Sequence, residues 1–92
     1  MSKQLDPQTR AAVEQFSQKL APLYNVASIL VYGSRARGTH QADSDADVAV
    51  ILKGEKLQTT LDTALSMAEL AYDVLLDTGI NIAALPISKN RK

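Results

Sequence analysis

No cysteine occurs anywhere in the chain, there is no tryptophan, and phenylalanine appears once. Without thiols there is neither a disulfide framework nor a thiolate metal site. The core must therefore come from Leu, Val, Ile and Ala, and an apolar share of 46% is ample for a compact fold. Long hydrophobic runs are also missing. None approaches the roughly 20 residues of a membrane span, and the opening stretch Met1–Arg10 is polar rather than signal-like. No membrane contact is expected, and the cytoplasm is the expected location. Neither sign of charge is in excess, because ten Lys and Arg balance ten Asp and Glu. That balance argues against direct nucleic-acid binding, which needs a basic footprint to displace counterions, and against a polymerase gripping a template.

What is present fits one domain over residues 1–92, with 88–92 read as a frayed or truncated polar tail. A domain of this size buries only roughly 60–65% of the surface its unfolded chain exposes, so a partner would add to a thin stability margin. Asp6 before Pro7 is a helix start, and Val13, Phe16, Leu20 and Leu23 carry helical spacing to about Pro22. Val26–Tyr32 is an apolar, β-branched strand ended by Gly33. One or two helical turns over Ser34–Gly38 and a polar loop over Thr39–Ser44 follow, then a second strand over Asp45–Leu52 closed by a turn at Lys53-Gly54. A long helix is expected from Leu57 to Thr78, stopped by Gly79. A third strand covers Ile80–Ile87, with Pro86 at a frayed or edge end. The expected fold is α/β or α+β, a small mixed sheet flanked by helices.

The chemistry lies between Tyr32 and Asp47. Two sequential strands joined by a short excursion are most simply antiparallel, which brings the end of the first beside the start of the second. Gly33-Ser34 and Asp45/Asp47 should then meet at one edge of the sheet. Gly33 lets a phosphate approach the backbone closely. Ser34 can cap the following turn while free N–H groups accept an anion, and Arg35 and Arg37 add positive charge for a triphosphate. Asp45 and Asp47 alternate to one strand face with Cα atoms roughly 7 Å apart. Two carboxylates so placed suit Mg²⁺, a hard cation that keeps waters and substrate phosphates. Each feature alone is commonplace: Gly-Ser pairs are usually turns, paired aspartates are usually solvated, and His40 has no ligand or nucleophile set beside it. The conjunction of strand, Gly-Ser, ten residues, Asp-x-Asp and strand is not commonplace.

These residues resemble the signature of the DNA polymerase β-like nucleotidyltransferase superfamily. Tyr32-Gly33-Ser34-Arg35-Ala36-Arg37-Gly38 and Asp43-Ser44-Asp45-Ala46-Asp47-Val48 are similar to the minimal nucleotidyltransferases called MNT, or MntA-type. The resemblance covers roughly residues 26–88 and implies that fold. It also implies Asp45 and Asp47 as Mg²⁺ ligands and catalytic residues, with Gly33, Ser34 and Arg35 on the triphosphate of ATP. The MNT type is the antitoxin half of HEPN–MNT toxin–antitoxin pairs, whose best described members transfer AMP from ATP to a tyrosine of the HEPN-type toxin. A HEPN-type partner, and a hetero-oligomer with it, are therefore implied.

One departure stands out. The superfamily usually supplies a third carboxylate from a later strand, yet Ile80–Ile87 contains no acid. Asn81 or Ala83 stands where it would be; neutral Asn81 could orient a water or a metal ligand but would be a poor general base. Two readings follow: an adenylyltransferase working with two aspartates, or a degenerate antitoxin that neutralises its partner by binding alone. On the long helix, Leu61, Leu65, Ala68, Tyr72 and Leu75 form the expected core stripe. Asp62, Glu69, Asp73 and Asp77 form an acidic face. Beyond it, Met67, Leu70 and Val74 make a second apolar strip, either buried by the first helix and the sheet or free to dock a partner helix.

Overall fold

In the computed structural model the chain is described over residues 5–53 and 60–88. Helix α1 (Pro7–Leu20) starts as the sequence dictates. Asp6 is its extended N-cap, and the carboxylate accepts from the Thr9 backbone N–H at 3.1 Å and the Thr9 hydroxyl at 2.7 Å. Pro7 sits where its missing N–H goes unneeded. Thr9, Ala12, Phe16 and Leu20 are buried, and Val13 packs at the margin of the core. Leu23, expected to continue that row, lies beyond the helix end and is exposed.

Strand β1 (Val26–Tyr32) runs into the short helix α2 (Ser34–Arg37). Then come strand β2 (Ala46–Leu52), helix α3 (Thr60–Thr78) and strand β3 (Ile82–Ser88). The expected start of α3 at Leu57, half of the Lys53-Gly54 turn and most of the C-terminal tail lie outside the described residues. The strands form one sheet in the order β1-β2-β3. β1 pairs antiparallel with β2, placing Tyr32 opposite Asp47 and Ile29 opposite Val50. β3 pairs parallel with β2, placing Ala83 beside Asp47. The sheet is therefore mixed, as expected. Pro86 lies within β3, buried and not at a frayed end. It is tolerated because β3 is an edge strand, where a missing N–H need not break a ladder.

Alternation along β2 sorts the two faces of the sheet. Ala46, Val48, Val50 and Leu52 point to the helices and join Phe16, Leu20, Met67, Val74 and Ile82 in one core. The opposite face carries Leu30 and Tyr32, Asp47 and Ala49, Ala83 and Leu85, with no helix on it among the described residues. This two-layer arrangement leaves one sheet face open. Among the described residues no helix is long and apolar enough to cross a membrane.

Helix α3 reverses the expected facing. Met67, Ala71 and Val74 are buried, with Leu70 packed beside them. Leu61, Leu65 and Tyr72, expected in the core, are each more than half exposed. The helix has apolar residues on two sides, and packing against Phe16 and the sheet selects the strip that was the second choice. Docking through that strip is not available, because Met67 and Val74 are fully buried and Leu70 is partly buried against the same core.

Candidate active site

Gly33 closes β1 with φ 78° and ψ −157°, a backbone conformation that only glycine adopts at little cost. A Cβ built there would collide with the Asp47 carboxylate Oδ2 and lie 3.3 Å from its Cγ. The carboxylate occupies the space that the missing side chain leaves. The antiparallel β1/β2 register delivers this apposition, since Tyr32 is the Cα partner of Asp47. Gly33 and Asp47 thus meet, as the hairpin argument requires. The turn then tightens into α2: the Arg37 N–H donates to the Gly33 carbonyl at 3.1 Å, and the Thr39 N–H to the Ser34 carbonyl at 3.0 Å. Gly38, left-handed at φ 79°, ends it.

Arg35 does not reach toward a triphosphate. It is buried, and all three guanidinium nitrogens donate within the protein: Nε to the Ser44 carbonyl (2.9 Å), Nη2 to the Ala42 carbonyl (3.1 Å) and Nη1 to the Thr9 hydroxyl (2.7 Å). Desolvating a guanidinium is costly unless its donors find partners, and here each of its three nitrogens has one. Its role is to hold the 39–44 loop against α1 and so to set the position of Asp45. The loop adds its own turn, in which the Gln41 N–H donates to the Ser44 hydroxyl at 2.9 Å and the Ser44 N–H returns to the Gln41 carbonyl at 3.0 Å. Thr9 relays the network to Asp6, and His40 Nε2 approaches Asp6 Oδ1 at 3.4 Å. The hydrogen bond from the Thr9 hydroxyl is the main reason that the Asp6 carboxyl titrates below its ordinary value. Burial opposes it as the second-largest effect, and the Thr9 N–H and the nearby His40 and Arg35 add smaller lowering effects.

Asp45 is exposed just before β2, and Asp47 is half-buried within it. Alternation puts both on the open face, because Ala46 between them is fully buried. The parallel register sets Ala83 beside Asp47, and Asn81, just before β3, reaches Asp45. Asn81 Nδ2 donates to Asp45 Oδ1 at 3.2 Å, and the Ala46 N–H donates to the Asn81 carbonyl at 2.9 Å. Among the described residues no cluster of three or more His, Cys, Asp or Glu side chains could hold a metal. Two carboxylates with an amide oxygen nearby remain a fitting donor set for Mg²⁺, which completes its shell with water and phosphate oxygens. Zinc would call for imidazole or thiolate ligands, which this corner does not offer.

The positioning roles of Thr9 and Asp6 escape a sequence reading focused on Gly33–Asp47. The available signal was Thr9 itself, at the third position after the Asp6 cap, where a hydroxyl can both donate to the cap and accept from elsewhere. Arg37 is exposed on α2, on the other side of Ala36 from Arg35.

With this geometry in hand, comparison with known proteins gives two findings. The sequence matches the family described as "Nucleotidyltransferase domain" over residues 13–92. Among solved structures, a crystal structure of a candidate nucleotidyltransferase from Sulfolobus solfataricus aligns with a TM-score of 0.63 at 24% identity, covering 89% of this chain and 70% of that one. At that identity the likeness speaks for the fold. No curated protein matches.

Proposed function

The chain belongs to the nucleotidyltransferase domain family, and from that membership and its glycine–aspartate corner we propose that it transfers AMP from ATP to a protein hydroxyl. The acceptor in this reading is a tyrosine of a HEPN-type toxin, and the chain acts as the antitoxin in a cytoplasmic hetero-oligomer. The observation that carries the catalytic part is the apposition of Gly33 and the Asp47 carboxylate on an open sheet face. Asp45 and Asp47 would hold Mg²⁺, which supplies charge neutralisation for the phosphates and the leaving group. In this reading Gly33 and Ser34 line the approach of the triphosphate beside the Asp47 carboxylate. Arg35 keeps the loop that carries Asp45 in place. The acceptor oxygen bonds to the α-phosphorus, the bond to the β-phosphate oxygen breaks, and pyrophosphate leaves. The acceptor's proton passes to solvent, since neither Asn81 nor Ala83 is a base. Positioning and electrostatics carry most of such a reaction, so a small scaffold can support it.

The second reading is favoured by one observation: the β3 residues beside the aspartates, Asn81 and Ala83, bring no third carboxylate. In that reading the chain neutralises its partner by contact alone. Incubation with Mg²⁺, α-labelled ATP and the protein encoded by the neighbouring gene separates the two. Label on the neighbour that disappears with Asp45→Asn/Asp47→Asn supports transfer. No label, with a complex formed equally by both versions, supports neutralisation by contact.

A further inference from the structure

The exposed side of α3 carries a row with no counterpart in the chemistry above. Leu61, Leu65, Tyr72 and Leu76 are 68%, 57%, 57% and 67% exposed, with exposed Ala68 between them. Their spacing of four, three, four and four puts them on one helix face. Over the 19 residues of α3 the face is about 28 Å long. Single exposed leucines are ordinary, but a continuous row is the mark of an interaction surface.

Both flanks of the row have a definite character. On one side Glu69 and Asp73 line a shallow groove with Leu65, Ala68 and Tyr72. No Lys or Arg occurs in α3, and no ion pair to Glu69 or Asp73 forms among the described residues. Asp77, one turn on, accepts from Gln15 Nε2 of α1 at 2.8 Å. On the other side a groove floored by Ala64, Ala71 and Ala84 leads to Asn81, the residue that donates to Asp45. The row therefore borders the candidate active site.

We propose that this face of α3 docks a helical segment of the acceptor protein, one with a matching apolar row and Lys or Arg along one flank. The inference rests on the transferase reading for the acceptor's identity, and on charge and geometry for the surface itself. An incoming cationic row would meet acids that have no base of their own on α3. It would also offset anions in the C-terminal half of the helix, where the dipole disfavours them. A second copy of the chain fits less well. Antiparallel pairing of two α3 helices about a two-fold axis brings both acidic rows to the same side, like charge against like. Parallel pairing leaves each acidic row without a basic match.

The test uses the full chain and two labelled model helices as long as α3. Both carry Leu at the spacing of the row, with either Lys or Glu along one flank. The Lys helix is expected to bind at least about tenfold more tightly than the Glu helix, with a preference that weakens in high salt. Leu65→Asp should lower that affinity about tenfold or more while the thermal melt stays near that of the wild type. Glu69→Lys/Asp73→Lys should reverse the preference and serves as the independent check if Leu65→Asp folds poorly. No binding of either helix, equal binding of both, or unchanged affinity in the variants would overturn the proposal. So would a wild-type dimer that Leu65→Asp converts to monomer, since the row would then belong to a second copy. MgATP binding by the same proteins is the separate readout. Its absence from wild type would sink the transferase reading and leave the helix result to stand or fall alone.

Discussion

A methyl group added at Gly33 would enter the space that the Asp47 carboxylate fills, in a backbone conformation that alanine adopts only under strain. Gly33→Ala is therefore expected to destabilise the fold by about 1–3 kcal/mol. It should reduce nucleotidyl transfer by more than that loss explains, because Asp47 must move. Urea melts alongside a transfer assay check this, and wild-type transfer from the alanine variant would remove the apposition from the site. Asp6 makes stability depend on pH. Thr9 holds the carboxyl below its ordinary value in the folded state, whereas the unfolded chain titrates near about 3.9. The native state thus gains stability above the unfolded value and loses it as pH falls through the depressed folded value. Asp6→Asn retains a capping side chain but cannot ionise. The stability gap between it and wild type should be widest at neutral pH and close in strong acid; a gap constant with pH would place its origin elsewhere. At this scale the meeting of Gly33 with Asp47 was legible, because an antiparallel return brings the end of β1 beside the start of β2. Arg35 was not: a sequence gives its charge, but the carbonyls of Ala42 and Ser44 and the Thr9 hydroxyl decide where the guanidinium turns.

Among the elements, α3 shows what periodicity can and cannot decide. Its apolar residues form two strips, Met67-Leu70-Val74 and Leu61-Leu65-Tyr72, and each satisfies helical spacing. Spacing says that each strip is a face; it does not say which face meets the sheet. The structure buries the first strip with Phe16, Val48 and Val50 and leaves the second in solvent. Met67→Ala should accordingly cost about 2–5 kcal/mol, as large-to-small changes in a packed core do. Leu65→Ala should stay within about 0.5 kcal/mol. Denaturant titrations of the two variants distinguish the strips, and equal losses would contradict the assignment. The strands were easier to read. β1 and β2 are short, apolar and joined by a brief excursion, so their antiparallel pairing follows from chain connectivity. The parallel addition of β3 depends on where α3 returns the chain, and only the coordinates give the register that sets Asn81 beside Asp45 and Ala83 beside Asp47.

For the molecule as a whole, both larger helices share one side of a three-stranded sheet and the aspartates lie on the other. The division of labour is physical. The covered face supplies the core, and the open face leaves Asp45 exposed and Asp47 partly exposed to solvent. The exposed row on α3 lies along the border between the two, beside Asn81. Function at this scale needs the corner of Gly33, Ser34, Asp45 and Asp47 to bind a metal and a triphosphate together, and that is the central claim. Its most direct test is MgATP titration of the wild-type chain and of Asp45→Asn/Asp47→Asn, followed by calorimetry, with circular dichroism confirming that both are folded. Binding to wild type should depend on Mg²⁺ and weaken by at least about tenfold in the variant, a loss of about 1.4 kcal/mol or more. Equal binding by the two folded proteins, or binding indifferent to Mg²⁺, would contradict that claim.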